Sequence, residues 1–207
     1  MPNRHTTRKP FITDPLVDQH VAELSTLASK HGVMITLTSD PAMRNEVAAL
    51  VAQADRRLMA DPAFRCELSK WVRPKNASGA RGMSLSSFGL SDRLSAAASV
   101  VIRIFNLGAE TAIKFRQLTR QSPWLGLLSS VEDDERSWLR TGMALSDILL
   151  ELAASNIACS FLDQPVEVPD LRPQLARILG VEGCLRCSCA SDGEPSRRLP
   201  CDVSRGW

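Results

Sequence analysis

The chain has 207 residues, 44% of them hydrophobic, so it can bury a substantial core as one domain, and disorder is not the expectation. Its 25 basic and 23 acidic residues leave a net charge of +2, too balanced to favour nucleic acid over any other partner. The longest apolar stretch, around Met143 to Ala158, is broken by Ser146, Asp147, Glu151 and Asn156 and falls short of a membrane span, and no apolar run follows the basic N-terminus, so a cytoplasmic protein is expected.

Val17, Val21, Leu24 and Ala28 recur at helical spacing from Asp14-Pro15 until Gly32 ends the pattern, which predicts a first helix. Val33 to Thr38 is apolar and β-branched and reads as a strand, stopping at Ser39-Asp40-Pro41, where a second helix opens. Val47, Leu50, Val51, Ala54 and Leu58 form the apolar stripe of that helix. Asp61-Pro62 restarts the chain for a short helix through Phe64, Leu68 and Trp71, and Pro74 to Gly82 reads as a loop. From Ser91, the run Leu94, Ala97, Val101, Ile104 and Phe105 has helical period, although Ser99 to Phe105 read alone also suits a strand.

Trp124 to Ser129 reads as a buried strand, and the acidic run Glu132 to Glu135 then favours a helix N-terminus. The helix from about Asp133 to Ser155 is apolar on many sides, with Trp138, Gly142, Leu145, Leu149 and Leu152 joined by Leu139, Met143, Ile148 and Leu150; such a helix is central or interfacial. Pro165 and Pro169 end regular structure, Leu171 to Leu179 makes a short helix, and Cys184 to Ala190 after Gly183 is a terminal strand candidate. Helices and strands mix without strict βαβ alternation, which predicts an α+β fold: a central antiparallel or mixed sheet wrapped by helices. Without a secretory signal the six cysteines read as reduced thiols.

The segment Trp138 to Gly183, with its Trp-Leu-Arg helix start, long small-and-leucine-rich helix, Ser-Phe-Leu-Asp-Gln-Pro-Val-Glu, Leu-Arg and Leu-Gly, resembles the C-terminal half of nitroreductase-like flavoproteins, most closely the Acg-type branch. Phe64 to Pro74 and Ser122 to Leu139 resemble the same branch, so the resemblance covers most of the chain. It implies a single nitroreductase-like domain over residues 1–207, with residues 1–13 as a basic N-terminal flavin-phosphate segment and 190–207 as a C-terminal tail. Proteins of the Acg type tend to carry two tandem copies of the domain, and this chain resembles mainly the second, C-terminal copy.

The family's basic phosphate signature resembles Arg4-His5-Thr6-Thr7-Arg8, and its terminal basic motif resembles Ser196-Arg197-Arg198-Leu199-Pro200. Guanidinium groups and a hydroxyl suit a dianionic phosphate. The cofactor-binding residues thus implied are Arg4, His5, Thr6, Arg8, Arg197 and Arg198 for FMN phosphate, with Leu162 and Asp163 in the loop beside the flavin ring. The implied activity is two-electron transfer from NADH or NADPH through FMN to a nitroaromatic, quinone or similar small-molecule acceptor, with the flavin supplying the chemistry. A lone copy exposes apolar faces that a duplicated form buries internally, which predicts a homodimer.

Two alternatives stand beside this reading. Lys30 to Ile35 falls where the family has an asparagine-containing segment against the flavin, and its absence favours a protein of the same fold that sequesters flavin without catalysis. Cys184, Cys187, Cys189 and Cys201 suggest a zinc site, but without paired Cys-x-x-Cys knuckles they read better as small strand residues, and no metal is expected. No Ser-His-Asp or Cys-His set stands out: His20 and His31 read as surface helix residues, and no catalytic residue is assigned.

Overall fold

The computed structural model describes residue 6 and residues 18–73, 83–84, 102–104 and 108–192. The order is α1 (Asp18–Lys30), β1 (Met34–Thr38), α2 (Pro41–Ala60), α3 (Pro62–Trp71), the two-residue strands β2 (Val72–Arg73) and β3 (Met83–Ser84), α4 (Gly108–Gln121), β4 (Trp124–Ser130), α5 (Glu135–Ala154), β5 (Ala158–Phe161), α6 (Gln164–Glu167), α7 (Arg172–Leu179) and β6 (Cys184–Asp192). Strands β1, β4, β6 and β5 form an antiparallel sheet in that spatial order, and β2 pairs parallel with β3.

Local chemistry explains the helix starts. Asp40 accepts from the backbone N–H groups of Ala42 and Met43, Asp61 from Ala63, and Asp134 from Ser137, and Pro41 and Pro62 occupy first-turn positions that need no N–H. All three helices open where the sequence predicts, within two residues. The proposed start of α1 at Asp14-Pro15, the loop from Pro74 to Gly82 and most of the run from Ser91 lie outside the described residues; residues 102–104 of that run are helical.

The sheet has a core on each face. Leu24, Ala28, Val33, Leu128, Ala144, Ile148 and Leu152 join α1 and α5 to one face. Val47, Leu50, Val51, Leu118, Leu125, Leu127, Leu162, Leu171 and Leu175 join α2, α4, the turn before α6, and α7 to the other. Alternation along β4, with Leu127 on one side and Leu128 on the other, is what lets a seven-residue strand buried on both faces serve both cores.

Helix α4 was not anticipated, yet it is the main packing partner of α2. Helix α3 lies at the surface: none of its residues is fully buried, and Trp71 is exposed. In α5 the buried stripe is Ser137, Thr141, Ala144, Ile148 and Leu152, so small and polar side chains lead on the inside. Trp138, Leu139 and Met143 are 53%, 68% and 49% exposed on the outside. The helix is central to the fold through one face and leaves an apolar face open.

Candidate functional site

Thr6 forms an isolated parallel bridge to Cys159 of β5. Strand β5 is at the edge of the sheet, so its outer side is free to accept the N-terminal segment. This brings one member of the predicted phosphate signature beside the strand that runs directly into Leu162 and Asp163. Arg4, His5, Arg8, Arg197 and Arg198 lie outside the described residues.

Leu162 is a core residue whose side chain packs between α2, α4 and α7, so the backbone is what it can offer a ligand. The Asp163 carbonyl accepts from the N–H groups of Val166 and Glu167, which fixes the turn into α6. Glu167 is held above its ordinary carboxyl range first by burial and then by the negative charge of Asp163. Between them, the Gln164 Oε1 is buried and has no hydrogen-bond partner among the described residues. A buried acceptor left unpaired is costly, so this oxygen calls for a donor beyond the described residues.

A second feature lies where β4 ends and α1 gives way to β1. Gly32, Val33, Ser130, Val131, Glu132, Ser137 and Arg140 line an open cavity of about 230 Å³. Gly32 has φ +67, and a side chain there would meet Arg140 Nη1 at 3.8 Å. The lining is largely polar: Ser130 Oγ donates to the Glu132 carbonyl at 2.8 Å, and Ser137 donates through N–H and hydroxyl to Asp134, which holds that carboxylate below its usual range. Arg140 is the one cationic group in the lining.

Just before Gly32, His31 Nε2 and Asp147 Oδ2 are 2.8 Å apart, joining the end of α1 to α5. This corrects the expectation of a surface histidine, because the imidazole is only 16% exposed. His20 is likewise half-buried, and its Nδ1 is sequestered without a partner among the described residues. The His31–Asp147 contact spans 116 positions and carried no local signal in the sequence.

Away from both features, Asp55 is buried between α2 and α4 and accepts from the Thr111 hydroxyl. Its carboxyl is pushed above the ordinary aspartate range by burial, against the opposing effects of the Thr111 hydrogen bond and the nearby Arg56 charge. Among the described residues, no three His, Cys, Asp or Glu side chains converge as a metal site, and no helix is long and apolar enough to cross a membrane. Cys184, Cys187 and Cys189 lie on β6 opposite Ser130, Leu128 and Gly126, and Cys201 lies outside the described residues.

No family profile and no curated protein matches the sequence. Solved structures do match the fold. An FMN- and NADPH-dependent nitroreductase, NfnB, from Sphigopyxis sp. strain HMH is 16% identical, covering 100% of this chain and 96% of its own at a TM-score of 0.58. The FMN-dependent nitroreductase NfnB from Mycobacterium smegmatis, in complex with NADPH, is 15% identical over 99% of this chain and 94% of its own, TM-score 0.57. An iodotyrosine deiodinase bound to FMN and 3-iodo-L-tyrosine is 11% identical over 100% and 95%, TM-score 0.58. The fold is therefore nitroreductase-like, with an α+β architecture in the described residues.

Proposed function

We propose that this protein is a cytoplasmic FMN-dependent oxidoreductase of nitroreductase type, related to the Acg branch, that passes two electrons from NADH or NADPH to a nitroaromatic, quinone or similar acceptor. The observation that carries the reading is the Thr6–Cys159 bridge, which sets Thr6 beside the strand leading into Leu162 and Asp163. Arg4, His5, Thr6 and Arg8, with Arg197 and Arg198, would hold the phosphate by charge-assisted hydrogen bonds. The backbone at Leu162 and Asp163 would line the flavin, and Gln164 Oε1, an orphaned buried acceptor, suits a ribityl hydroxyl or ring N–H. On this side the residues fit FMN. When bound, the flavin supplies the two-electron chemistry, and the chain supplies position and electrostatics.

The open apolar face of α5, with Trp138, Leu139 and Met143, supports assembly as a homodimer. Small Gly142 and Ser146 on the same outward side permit close approach of a second helix. A flavin bound between two copies would couple cofactor affinity to dimerisation.

A second reading is favoured by the turn from Lys30 to Ile35. It offers no asparagine, and its histidine is engaged by Asp147, which suits a protein that binds flavin without turning it over. Protein purified with added FMN, examined for its absorption spectrum and released cofactor and then for NADH and NADPH oxidation, separates the two. Stoichiometric FMN with turnover is the expected result; stoichiometric FMN without turnover selects sequestration; no retention under dimer-forming conditions defeats both.

A further inference from the structure

We propose that the open cavity between the α1–β1 turn and the start of α5 binds a small zwitterion, an α-amino acid with a short aliphatic side chain, held by its carboxylate at Arg140 and by its ammonium group at Glu132. The site is separate from the place argued above for the flavin. Ser130, in the cavity lining, pairs with Cys184 at one end of β6, whereas Cys159, which bridges to Thr6, pairs with Ser191 near the other end. From Cys184 to Ser191 the strand runs about 20 Å at the usual rise per residue.

Three observations carry the assignment. The first is the charge balance of the lining, in which, among the described residues, Arg140 is the one cation and Glu132 the one anion. Arg140 makes no hydrogen bond or ion pair with any described residue, so its guanidinium donors are open to a ligand. A dianion such as phosphate would leave charge uncompensated beside Glu132, and a simple cation would face Arg140. A ligand carrying both signs meets both groups.

The second is the direction of the hydrogen bonds. The Ser130 hydroxyl donates to the Glu132 carbonyl at 2.8 Å, and the Ser137 hydroxyl and N–H both go to Asp134. The N–H groups of Gly32 and Val33 are spent on the carbonyls of Ser29 and Ala28. What the two serines keep for a ligand is lone pairs, and the Glu132 carboxylate accepts several hydrogen bonds at once. Side-chain donors are therefore concentrated at Arg140, which suits a carboxylate, while the acceptors suit an ammonium group. The third is space. Gly32 carries no side chain, so a position 3.8 Å from Arg140 Nη1 stays open, and the cavity of about 230 Å³ is completed by Val33 and Val131, apolar groups that match a short aliphatic side chain.

Isothermal titration calorimetry of the full chain, with and without FMN, against L-valine, isovalerate and L-valinamide tests this. L-Valine is expected to bind saturably, and the other two, each lacking one of the charged groups, roughly tenfold more weakly or worse. Arg140→Gln and Glu132→Gln are each expected to weaken L-valine binding roughly tenfold, with melting curves unchanged because both side chains are exposed. The comparison of the three ligands on the wild type decides the matter even if a variant fails to fold. No saturable binding of L-valine, isovalerate that binds as tightly as L-valine, or an Arg140→Gln protein that keeps full affinity overturns the site. Equal L-valine affinity with and without FMN is expected, and binding that requires FMN overturns the separation of the two places.

Discussion

Two buried side chains have consequences that single substitutions expose. Asp55 sits between α2 and α4 with its carboxyl raised chiefly by burial. Because the folded-state value lies above that of the unfolded chain, the stability this group contributes is complete below the ordinary aspartate value of 3.8 and is lost as pH rises through the folded-state value. Asp55→Asn keeps the shape and removes the ionisation, so its stability relative to wild type is expected to improve from pH 4 to pH 7. Urea denaturation at each pH reads the difference, and a gap that does not change with pH would mean that burial of the charge is not what matters at this site. Gln164 makes the opposite kind of case, since its Oε1 has no partner among the described residues. Gln164→Leu removes an unsatisfied acceptor, so the flavin-free protein should be no less stable. FMN should bind about fivefold more weakly, the loss of one hydrogen bond of about 1 kcal/mol. Fluorescence titration of FMN, with a melting curve of the free protein, checks both halves, and unchanged affinity would separate Gln164 from the cofactor.

At the scale of elements, how legible the fold is depends on how each helix or strand announces itself. The helices opened by Asp40-Pro41, Asp61-Pro62 and Asp134 were readable because an aspartate cap and a proline are local signals. Helix α4 was not, because it buries only Gly108, Ala112, Leu118 and Thr119, too few and too small to make an apolar stripe. The interior of α5 was misleading for a related reason: Ser137, Thr141 and Ala144 face the sheet, while the larger Trp138, Leu139 and Met143 face out. At the candidate site Thr6 and the loop at Leu162 are singled out by motif, whereas the pairing of His31 with Asp147 exists only after α1 and α5 dock. The entry into β6 gives an element-scale prediction. Gly183 has φ +118, and an added Cβ would lie 2.8 Å from the Ser130 carbonyl oxygen, in the strand it pairs with. Gly180 has φ +62 and open space around it. Gly183→Ala therefore meets both backbone strain and a clash with main chain, and is expected to cost about 3 kcal/mol, against about 1 kcal/mol for Gly180→Ala. Equal losses in denaturant midpoints would show that β4 and β6 can shift to accommodate the methyl group.

For the molecule as a whole, the outward face of α5 has to be reconciled with the core beneath it. The two cores close around the sheet without Trp138, Leu139 or Met143, so these side chains are not needed to fold the single chain. Large apolar groups grouped on one surface helix, with the exposed Val131 in the turn just before it, are what an interface core supplies. If a second copy covers this face, charge placed on it should separate the copies while leaving each one folded. Leu139→Glu changes a side chain that is 68% exposed, so the single chain loses little when it is replaced. Two copies brought together across the substituted face would each have to bury a carboxylate without a partner, a cost of several kcal/mol that a moderate dimer cannot absorb. The expected outcome is a monomer by sedimentation with an unchanged circular dichroism spectrum, and with FMN retention lost at the same time, since cofactor and assembly are linked. A Leu139→Glu protein that stays dimeric would move the interface to another surface; one that becomes monomeric yet keeps FMN stoichiometrically would show that a single copy builds the whole cofactor site.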